Sequence, residues 1–311
     1  MDNRRNILDA IGNTPLVKLN KITRGSASNV FIKLEYYNPT GSYKDRMALA
    51  IIEDAEKEGL LRPGYTVVEA TGGSAGASLA FVCSVKGYKV KLVTSDAYSL
   101  EKRKTMKAFG AELVTIPSDG GKVTGEMVRR LMAKAKELAM EPNTYLANQM
   151  ENKSALKGYN RLGMEVLSQL NGKVDAFVAS FGSAGCAMGV AEVLKAHNPK
   201  TKVSIVEPFE SPMVSKGLAG PHHIEGIGDG FMPPLLRRDL YDDVVVVRED
   251  DAKEATRTLV RKEGIFAGSS TGANVQATLQ ILDKFGPDKD IVTIAADSGM
   301  KYLSTELFQK E

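Results

Sequence analysis

The residue with the clearest chemical potential is Lys44, within the segment Asn-Pro-Thr-Gly-Ser-Tyr-Lys-Asp-Arg at positions 38–46. Pro39 and Gly41 favour a turn, and the apolar spacing from Met47 to Ala55 predicts a helix. A lysine at a helix N-terminus lies near the positive end of the helix dipole, which favours its neutral, nucleophilic form. The alternative is a solvated Lys-Asp-Arg triplet that starts an amphipathic helix, which the abundance of surface charge favours for this segment alone.

Three glycine-rich turns each follow a predicted strand and precede a predicted helix. They read Thr-Gly-Gly-Ser-Ala-Gly at 71–76, Gly-Ser-Ala-Gly-Cys at 182–186 and Gly-Ser-Ser-Thr-Gly-Ala at 268–273. Such a turn presents backbone N–H groups that bind a carboxylate or a phosphate. Each turn alone is equally well explained by backbone geometry, because tight strand-to-helix turns need glycine without any ligand. The chain has neither a Rossmann GxGxxG motif with its acidic partner nor a Walker lysine.

The elements that must position these residues alternate along the chain. After strands at 16–19 and 30–35, the sequence predicts strands at 66–69, 89–94, 112–116, 174–180, 203–206 and 291–295. Predicted helices lie between or after them, at 76–85, 100–109, 122–138, 186–197, 250–262 and 272–285. This alternation predicts α/β architecture with right-handed crossovers and a mostly parallel sheet. A chain of 311 residues is long enough for two domains or one large unit with an embedded lobe.

Composition argues against several classes of function. The chain has 41 Lys and Arg against 38 Asp and Glu, with no long basic run, so we expect no nucleic-acid and no membrane partner. Cys83 and Cys186 are far apart, so we expect no disulfide framework and no metal site. The N-terminus lacks an apolar signal segment, and no apolar run approaches the ~20 residues that span a bilayer. These features predict a cytoplasmic protein in a reducing compartment.

The lysine segment and the glycine-rich turns together resemble the fold type II pyridoxal-phosphate (PLP) enzymes, within the cysteine synthase and cystathionine β-synthase family. The matching motifs run nearly end to end, at residues 11–16, 38–46, 69–76, 148–149, 182–189, 206–208, 226–228, 264–273 and 297–304. The resemblance implies open, twisted, mostly parallel sheets in two domains, as in the tryptophan synthase β chain. Residues 1–47 and 146–311 would form the large PLP-binding domain, and 48–145 a smaller mobile domain that binds the substrate carboxylate. It also implies a homodimer and a catalytic unit without an appended regulatory module.

The resemblance assigns Lys44 as the residue that binds PLP covalently. It places the phosphate at the loop of Gly182, Ser183, Ala184, Gly185 and Cys186. The family's loop ends in threonine and has glycine in place of Ala184, so this loop is expected to hold the phosphate slightly less well. The pyridine nitrogen is assigned to Ser270, with Thr271 as the second choice. A neutral hydroxyl there makes the ring a weaker electron sink, which favours elimination over transamination.

The resemblance also places the substrate's α-carboxylate at Thr71, Gly72, Gly73 and Ala75, with Gln149 reaching in from a neighbouring turn. The family usually reads Thr-Ser-Gly-Asn-Thr-Gly here, so this chain lacks two hydroxyls and an asparagine. Ser74 takes the place of the asparagine that contacts the cofactor's ring oxygen. We therefore expect carboxylate binding to persist while the usual substrate is held less tightly.

Asp229 is a departure that adds chemistry. Family cysteine synthases usually have a small apolar residue after Gly-Ile-Gly, whereas this chain has Asp229 there. A carboxylate beside the cofactor would serve as a base for water or a thiol, or would bind the ammonium group of a second substrate. The alternative is a loop aspartate that caps Gly230 or forms a weak surface pair with Arg237.

The sequence thus predicts a PLP-dependent enzyme that acts at the β-carbon of a small L-amino acid, by default converting O-acetyl-L-serine and sulfide to L-cysteine. An alternative within the family is release of hydrogen sulfide from cysteine with water as nucleophile, or a thiol-exchange or cystathionine-type reaction. An alternative of another class is a non-catalytic regulator that binds PLP or an amino acid, against which the intact Lys44 argues.

Overall fold

The protein folds around two β-sheets in a computed structural model that describes residues 6–118, 120–121 and 123–309. The larger sheet has the strand order β1-β2-β10-β7-β8-β9. Its strands are β1 Leu16–Lys18, β2 Asn29–Leu34, β7 Ala176–Ser180, β8 Lys202–Pro208, β9 Asp243–Val247 and β10 Asp290–Ala295. The smaller sheet has the order β5-β4-β3-β6, with β3 Thr66–Ala70, β4 Lys89–Ser95, β5 Glu112–Ile116 and β6 Thr144–Leu146.

Helices cover both sheets. They are α1 Lys44–Lys57, α2 Ser74–Lys86, α3 Leu100–Ala108, α4 Gly125–Leu138, α5 Ser154–Gln169, α6 Gly185–His197, α7 Met213–Lys216, α8 Glu249–Glu263, α9 Ser269–Ile281 and α10 Glu306–Gln309. Short 3-10 turns lie at Ile7–Ala10, Glu35–Tyr37, Arg238–Leu240, Leu282–Lys284 and Gly299–Tyr302. None of the helices in the described ranges is long and apolar enough to cross a membrane.

The pairing is parallel throughout both sheets except between β1 and β2. The central strands β7 and β10 are buried along their whole length, which explains their continuous apolar sequences. One apolar cluster runs from the larger sheet through α1 and α2 to the smaller sheet, and it includes Phe177, Met47 and Leu92. The two sheets therefore share a core, and the carboxyl ends of their parallel strands meet at a common cleft.

The predicted α/β class with mostly parallel sheets is confirmed. Two helix starts differ from the prediction by three residues: α4 begins at Gly125, where the Thr124 hydroxyl accepts the N–H of Met127 at 3.2 Å, and α9 begins at Ser269. The smaller sheet takes all its strands from residues 66–146. The division into a large domain and a mobile domain of residues 48–145 stays a prediction.

Candidate active site

The cleft between the two sheets brings most of the predicted residues together. Its walls include Lys44, Thr71, Gly72, Gly73, Ser74, Ala75, Gln149, Gly182, Ser183, Asp229 and Ser270. Ala184, Gly185 and Cys186 do not line the cleft and are buried at the start of α6. The described residues contain no group of three or more His, Cys, Asp or Glu side chains that would hold a metal ion.

Lys44 is the first residue of α1, and its amine projects into the cleft. Its Nζ donates a hydrogen bond to Oε1 of Gln149 at 3.4 Å and lies 5.2 Å from the centre of the Tyr43 ring. Among the described residues, no carboxylate forms an ion pair with it. Burial lowers the pKa of the Lys44 amine, although nearby acidic groups such as Asp229 oppose the effect. The amine is thus poised to act as a nucleophile or base.

Charged contacts of the neighbouring residues hold the lysine in place. The Arg46 guanidinium bonds Oε2 of Glu35 and Oε1 of Glu165, each at 2.7 Å. Asp45 accepts the backbone N–H of Thr40 at 2.8 Å. Bonds to the guanidinium and to Lys33 lower the pKa of Glu165 to about 2 even though burial opposes them. The first turn of α1 is therefore fixed to the 3-10 turn that follows β2 and to α5.

The turn before α2 is shaped by close packing. The Thr71 hydroxyl accepts the N–H groups of Gly73 at 3.0 Å and Gly76 at 2.9 Å. Gly73 has φ of 130°, and a Cβ on it would lie 2.7 Å from Cβ of Lys102, so no other residue fits there. The N–H groups of Ser74 and Ala75, at the start of α2, have no acceptor within the helix, and both residues line the cleft. This geometry suits a carboxylate.

Ser74 lines the cleft, but its hydroxyl is hydrogen-bonded to another side chain of the protein. Its Oγ donates to Oδ2 of Asp297 at 3.2 Å, and the same carboxylate oxygen accepts the Tyr302 hydroxyl at 2.9 Å. The assignment of Ser74 to the cofactor's ring oxygen stays a prediction, because binding there requires the hydroxyl to donate to that oxygen in place of Asp297.

The 182–186 turn has the features of an anion site. Ala184 adopts left-handed backbone geometry with φ of 64°, and α6 begins at the next residue. The Ser183 hydroxyl accepts the N–H of Gly185 at 3.5 Å. The buried Tyr159 hydroxyl has no partner among the described residues, and its ring lies 3.4 Å from where a Cβ on Gly185 would be. Burial raises the pKa of the Cys186 thiol, so it stays protonated.

The start of α9 distinguishes the two candidates for the pyridine nitrogen. Ser270 is buried and lines the cleft. The Thr271 hydroxyl accepts the backbone N–H of Ala296 at 3.1 Å and does not line the cleft. Ser270 is therefore the better candidate.

Asp229 lines the cleft and has no hydrogen bond or ion pair within the described part of the chain. The pairing with Arg237 does not occur, because that guanidinium bonds Glu192 at 2.7 Å and Asp239 at 2.6 Å. Burial raises the pKa of the Asp229 carboxyl, while Lys44 and His222 act in the opposite direction. An unpartnered carboxyl in a ligand cleft is available for chemistry.

The sequence did not identify Lys102, Glu225 and Tyr302 as cleft residues. The Lys102 amine on α3 reaches across the cleft to Oε2 of Glu225 at 2.6 Å and to the Tyr302 hydroxyl at 3.1 Å. Lys102 shares its helix with two exposed lysines, Lys104 and Lys107, so no local signal separates it from them.

The residues fit PLP. The partly buried Lys44 amine, which has no acidic partner among the described residues, suits the aldehyde of PLP. The N-terminus of α6, with the Tyr159 hydroxyl that has no hydrogen-bond partner there, suits the phosphate. The buried Ser270 suits the ring nitrogen. The family model for pyridoxal-phosphate dependent enzymes matches residues 7–297.

Individual proteins match over nearly the whole chain. A cysteine synthase of Staphylococcus aureus is 42% identical over 305 residues, which cover 97% of this chain and 96% of the relative. A crystal structure of cysteine synthase from Entamoeba histolytica is 34% identical with a TM-score of 0.93, covering 99% of this chain and 92% of that one. A crystal structure of a hydrogen sulfide-producing enzyme from Fusobacterium nucleatum is 39% identical with a TM-score of 0.91, covering 97% of this chain and 100% of that one. The chain therefore belongs to the PLP-dependent enzymes of fold type II, the family of the cysteine synthases.

Proposed function

We propose that the protein replaces the β-substituent of a small L-amino acid, converting O-acetyl-L-serine and sulfide to L-cysteine and acetate. The observation that carries this proposal is the Lys44 amine, which forms no ion pair with any described residue and faces the 71–75 turn and Gln149 across one cleft. Relatives named cysteine synthase support the same reaction.

The chain's residues have distinct roles in this proposal. PLP, when bound, supplies the electron sink that makes the substrate's α-proton acidic and allows the β-substituent to leave. The turn of Thr71, Gly72, Gly73 and Ala75 binds the substrate carboxylate through the N–H groups of Gly72 and Ala75, while the Thr71 hydroxyl holds Gly73 in place, and Gln149 completes the site. The Lys44 Nζ holds PLP and then accepts the α-proton as general base. Residues 182–186 and Ser270 orient the cofactor.

A substrate panel tests the proposal. The purified holoenzyme is given O-acetyl-L-serine, O-phospho-L-serine, L-serine or L-cysteine, each with and without sulfide, and the products are quantified by mass spectrometry. We expect sulfide-dependent cysteine from O-acetyl-L-serine and none from the Lys44→Ala variant. Binding of PLP without turnover of any of these amino acids would instead support a non-catalytic binding protein.

A second reaction is favoured by Asp229. We propose that the same site hydrolyses cysteine, with water replacing the thiol so that L-serine and hydrogen sulfide form. The support is the unpartnered Asp229 carboxyl in the cleft, whose pKa is raised by burial, and the similarity to a hydrogen sulfide-producing enzyme. Water must lose a proton as it adds, whereas sulfide arrives largely ionised and needs no base. A thiol acceptor, as in thiol-exchange or cystathionine-type chemistry, would use the same carboxylate.

Asp229→Asn separates the two reactions. A positioned base contributes about 10² to 10⁴ in rate, so we expect hydrogen sulfide release from cysteine to fall by that factor. Formation of cysteine from O-acetyl-L-serine and sulfide should change little. Unchanged hydrolysis would show that Asp229 is only a loop residue, and loss of both reactions would assign it to substrate binding or structure.

Assembly and location are also part of the proposal: a homodimer in the cytoplasm, without nucleic-acid or membrane partners. The two cysteines, Cys83 and Cys186, are buried free thiols, which suits a reducing compartment. Sedimentation equilibrium of the holoenzyme tests the dimer, since a monomer mass at micromolar concentration would contradict it.

A further inference from the structure

A buried carboxylate behind the cleft wall has no role in the reaction described so far. Glu69 lies in β3, is 3% exposed and does not line the cleft. Its Oε2 accepts the backbone N–H of Gln149 at 2.9 Å, and its Oε1 accepts the backbone N–H of Ala70 at 2.9 Å. Both carboxylate oxygens are therefore used to hold backbone next to the substrate turn.

The side-chain amide of Gln149 is held by two further hydrogen bonds. Its Nε2 donates to the carbonyl oxygen of Ala70 at 3.1 Å, and its Oε1 accepts the Lys44 amine at 3.4 Å. The preceding residue, Asn148, has φ of 50°, in the left-handed region that few side chains adopt. A strained turn of this kind persists only when its surroundings hold it, and the Glu69 carboxylate is the group that bonds the Gln149 backbone.

The ionised form of Glu69 is the one that satisfies both N–H groups. A neutral carboxyl has one hydroxyl oxygen, which is a donor, so one of the two backbone N–H groups would face a poor acceptor. The groups that interact electrostatically with Glu69 are Lys44 from α1, which favours ionisation, and the Tyr145 phenol from β6. Burial raises the pKa of Glu69 to about 7, so its charge state changes within the ordinary working range of enzymes.

We propose that Glu69 is a positioning residue, whose ionised carboxylate fixes the Asn148–Gln149 turn so that the Gln149 amide can bind the substrate carboxylate. Glu69 does not touch the substrate. The inference rests on the proposed function, because it takes Gln149 as a substrate-binding residue.

The test measures binding of L-alanine to the holoenzyme by calorimetry, because L-alanine has the amine and carboxylate but no β-leaving group. The variants are Glu69→Gln, Gln149→Ala and the double variant, with the exposed Glu141→Gln as control. Loss of one hydrogen bond should weaken binding about 2- to 10-fold in Glu69→Gln at pH 8. The double variant should bind no more weakly than Gln149→Ala, because Glu69 acts through Gln149. With O-acetyl-L-serine, KM should rise more than kcat falls.

The pH profile distinguishes positioning from a merely structural role. The ratio of the two dissociation constants, Glu69→Gln over wild type, should fall towards 1 as the pH drops below about 7, where wild-type Glu69 becomes neutral. Titration of the ligand amine occurs in both proteins and cancels in this ratio. A ratio independent of pH, or fully additive effects in the double variant, would overturn the inference.

A measurement on the wild type alone keeps the inference testable if the variant fails to fold. Hydrogen exchange of the Gln149 amide, corrected for its intrinsic rate, should become faster relative to neighbouring amides below pH 7, and unchanged protection would overturn the inference. The two proposals also fail differently. If Gln149→Ala binds L-alanine as tightly as the wild type, the substrate site itself is refuted. If Gln149→Ala binds L-alanine more weakly and Glu69→Gln adds its full effect in the double variant, only the role of Glu69 is refuted.

Discussion

The ion pair between Lys102 and Glu225 should control closure of the cleft over the substrate. Lys102 belongs to the predicted mobile segment of residues 48–145, while Glu225 and Tyr302 belong to the rest of the chain. The stem of Lys102 packs directly against Gly73 of the carboxylate-binding turn. A substrate carboxylate that orders this turn should therefore also favour the ion pair, and we predict that Lys102→Met weakens substrate binding.

The magnitude follows from the burial of the two side chains. Lys102 is 4% exposed and Glu225 is 12% exposed. Removing one partner of a buried pair costs about 3–5 kcal/mol, because the other charge stays buried. Glu225 is partly open to water, which lowers the estimate to about 2–3 kcal/mol. Only the part of this cost that is gained as the cleft closes enters binding, and about 1.4 kcal/mol corresponds to tenfold, so the dissociation constant of L-alanine should rise by at most roughly 30- to 150-fold.

Calorimetry with L-alanine measures this effect, and hydrogen exchange follows residues 71–75 and 225–229. Lys102→Arg keeps the charge and should retain most of the affinity, while Lys107→Met removes an exposed lysine from the same helix and should have no effect. The ligand should protect both segments in the wild type but not in Lys102→Met. Wild-type affinity in Lys102→Met, or identical exchange with and without L-alanine in the wild type, would refute the coupling.

Three further predictions concern single side chains. The pKa of Glu69 is raised from the ordinary value of 4.5 to about 7, so the folded state binds an extra proton between these two pH values. The free energy of unfolding of the wild type, relative to that of Glu69→Gln, should therefore decline by about 3 kcal/mol as the pH rises through this window. Urea unfolding at pH 5 and pH 8 measures the decline. Cys186→Thr should slow PLP release about 2- to 10-fold, because a hydroxyl is a better hydrogen-bond donor than a protonated thiol; equal release rates would show that residue 186 does not contact the phosphate. Gly73→Ala should destabilise the fold by about 1–3 kcal/mol and abolish tight L-alanine binding, because φ of 130° and the contact with Lys102 exclude a Cβ; an unchanged melting temperature would contradict this.

The candidate residues that depend on local turn chemistry were visible in the sequence. Spacing and residue type single out Lys44 and the three glycine-rich turns as candidates, the resemblance to the PLP enzymes assigns their roles, and parallel topology brings them to one cleft. Helix α5 was not predicted, because Gly158 and Gly163 interrupt its pattern. They are there because the helix packs closely, since a Cβ on Gly158 would lie 2.3 Å from the carbonyl oxygen of Arg46. Tertiary packing thus overrides local helix propensity at this position.

The contacts that cross the cleft were beyond sequence reasoning. Glu69 was noted only as the start of a motif, and its bond to the Gln149 backbone depends on the pairing of β3 with β6, a strand that was not predicted. Lys102 and Glu225 form an ion pair although they are 123 positions apart in the sequence. Such pairs carry no periodic signal, so only the folded arrangement identifies them.

The central claim, that Lys44 is the residue that holds PLP, is tested most directly by borohydride reduction of the holoenzyme followed by peptide mass mapping. We predict a single pyridoxyl-phosphate label on the peptide that contains Lys44, with loss of the visible absorbance of bound PLP in Lys44→Ala. A label on a different lysine, or a borohydride-reducible chromophore that persists in Lys44→Ala, would contradict the claim.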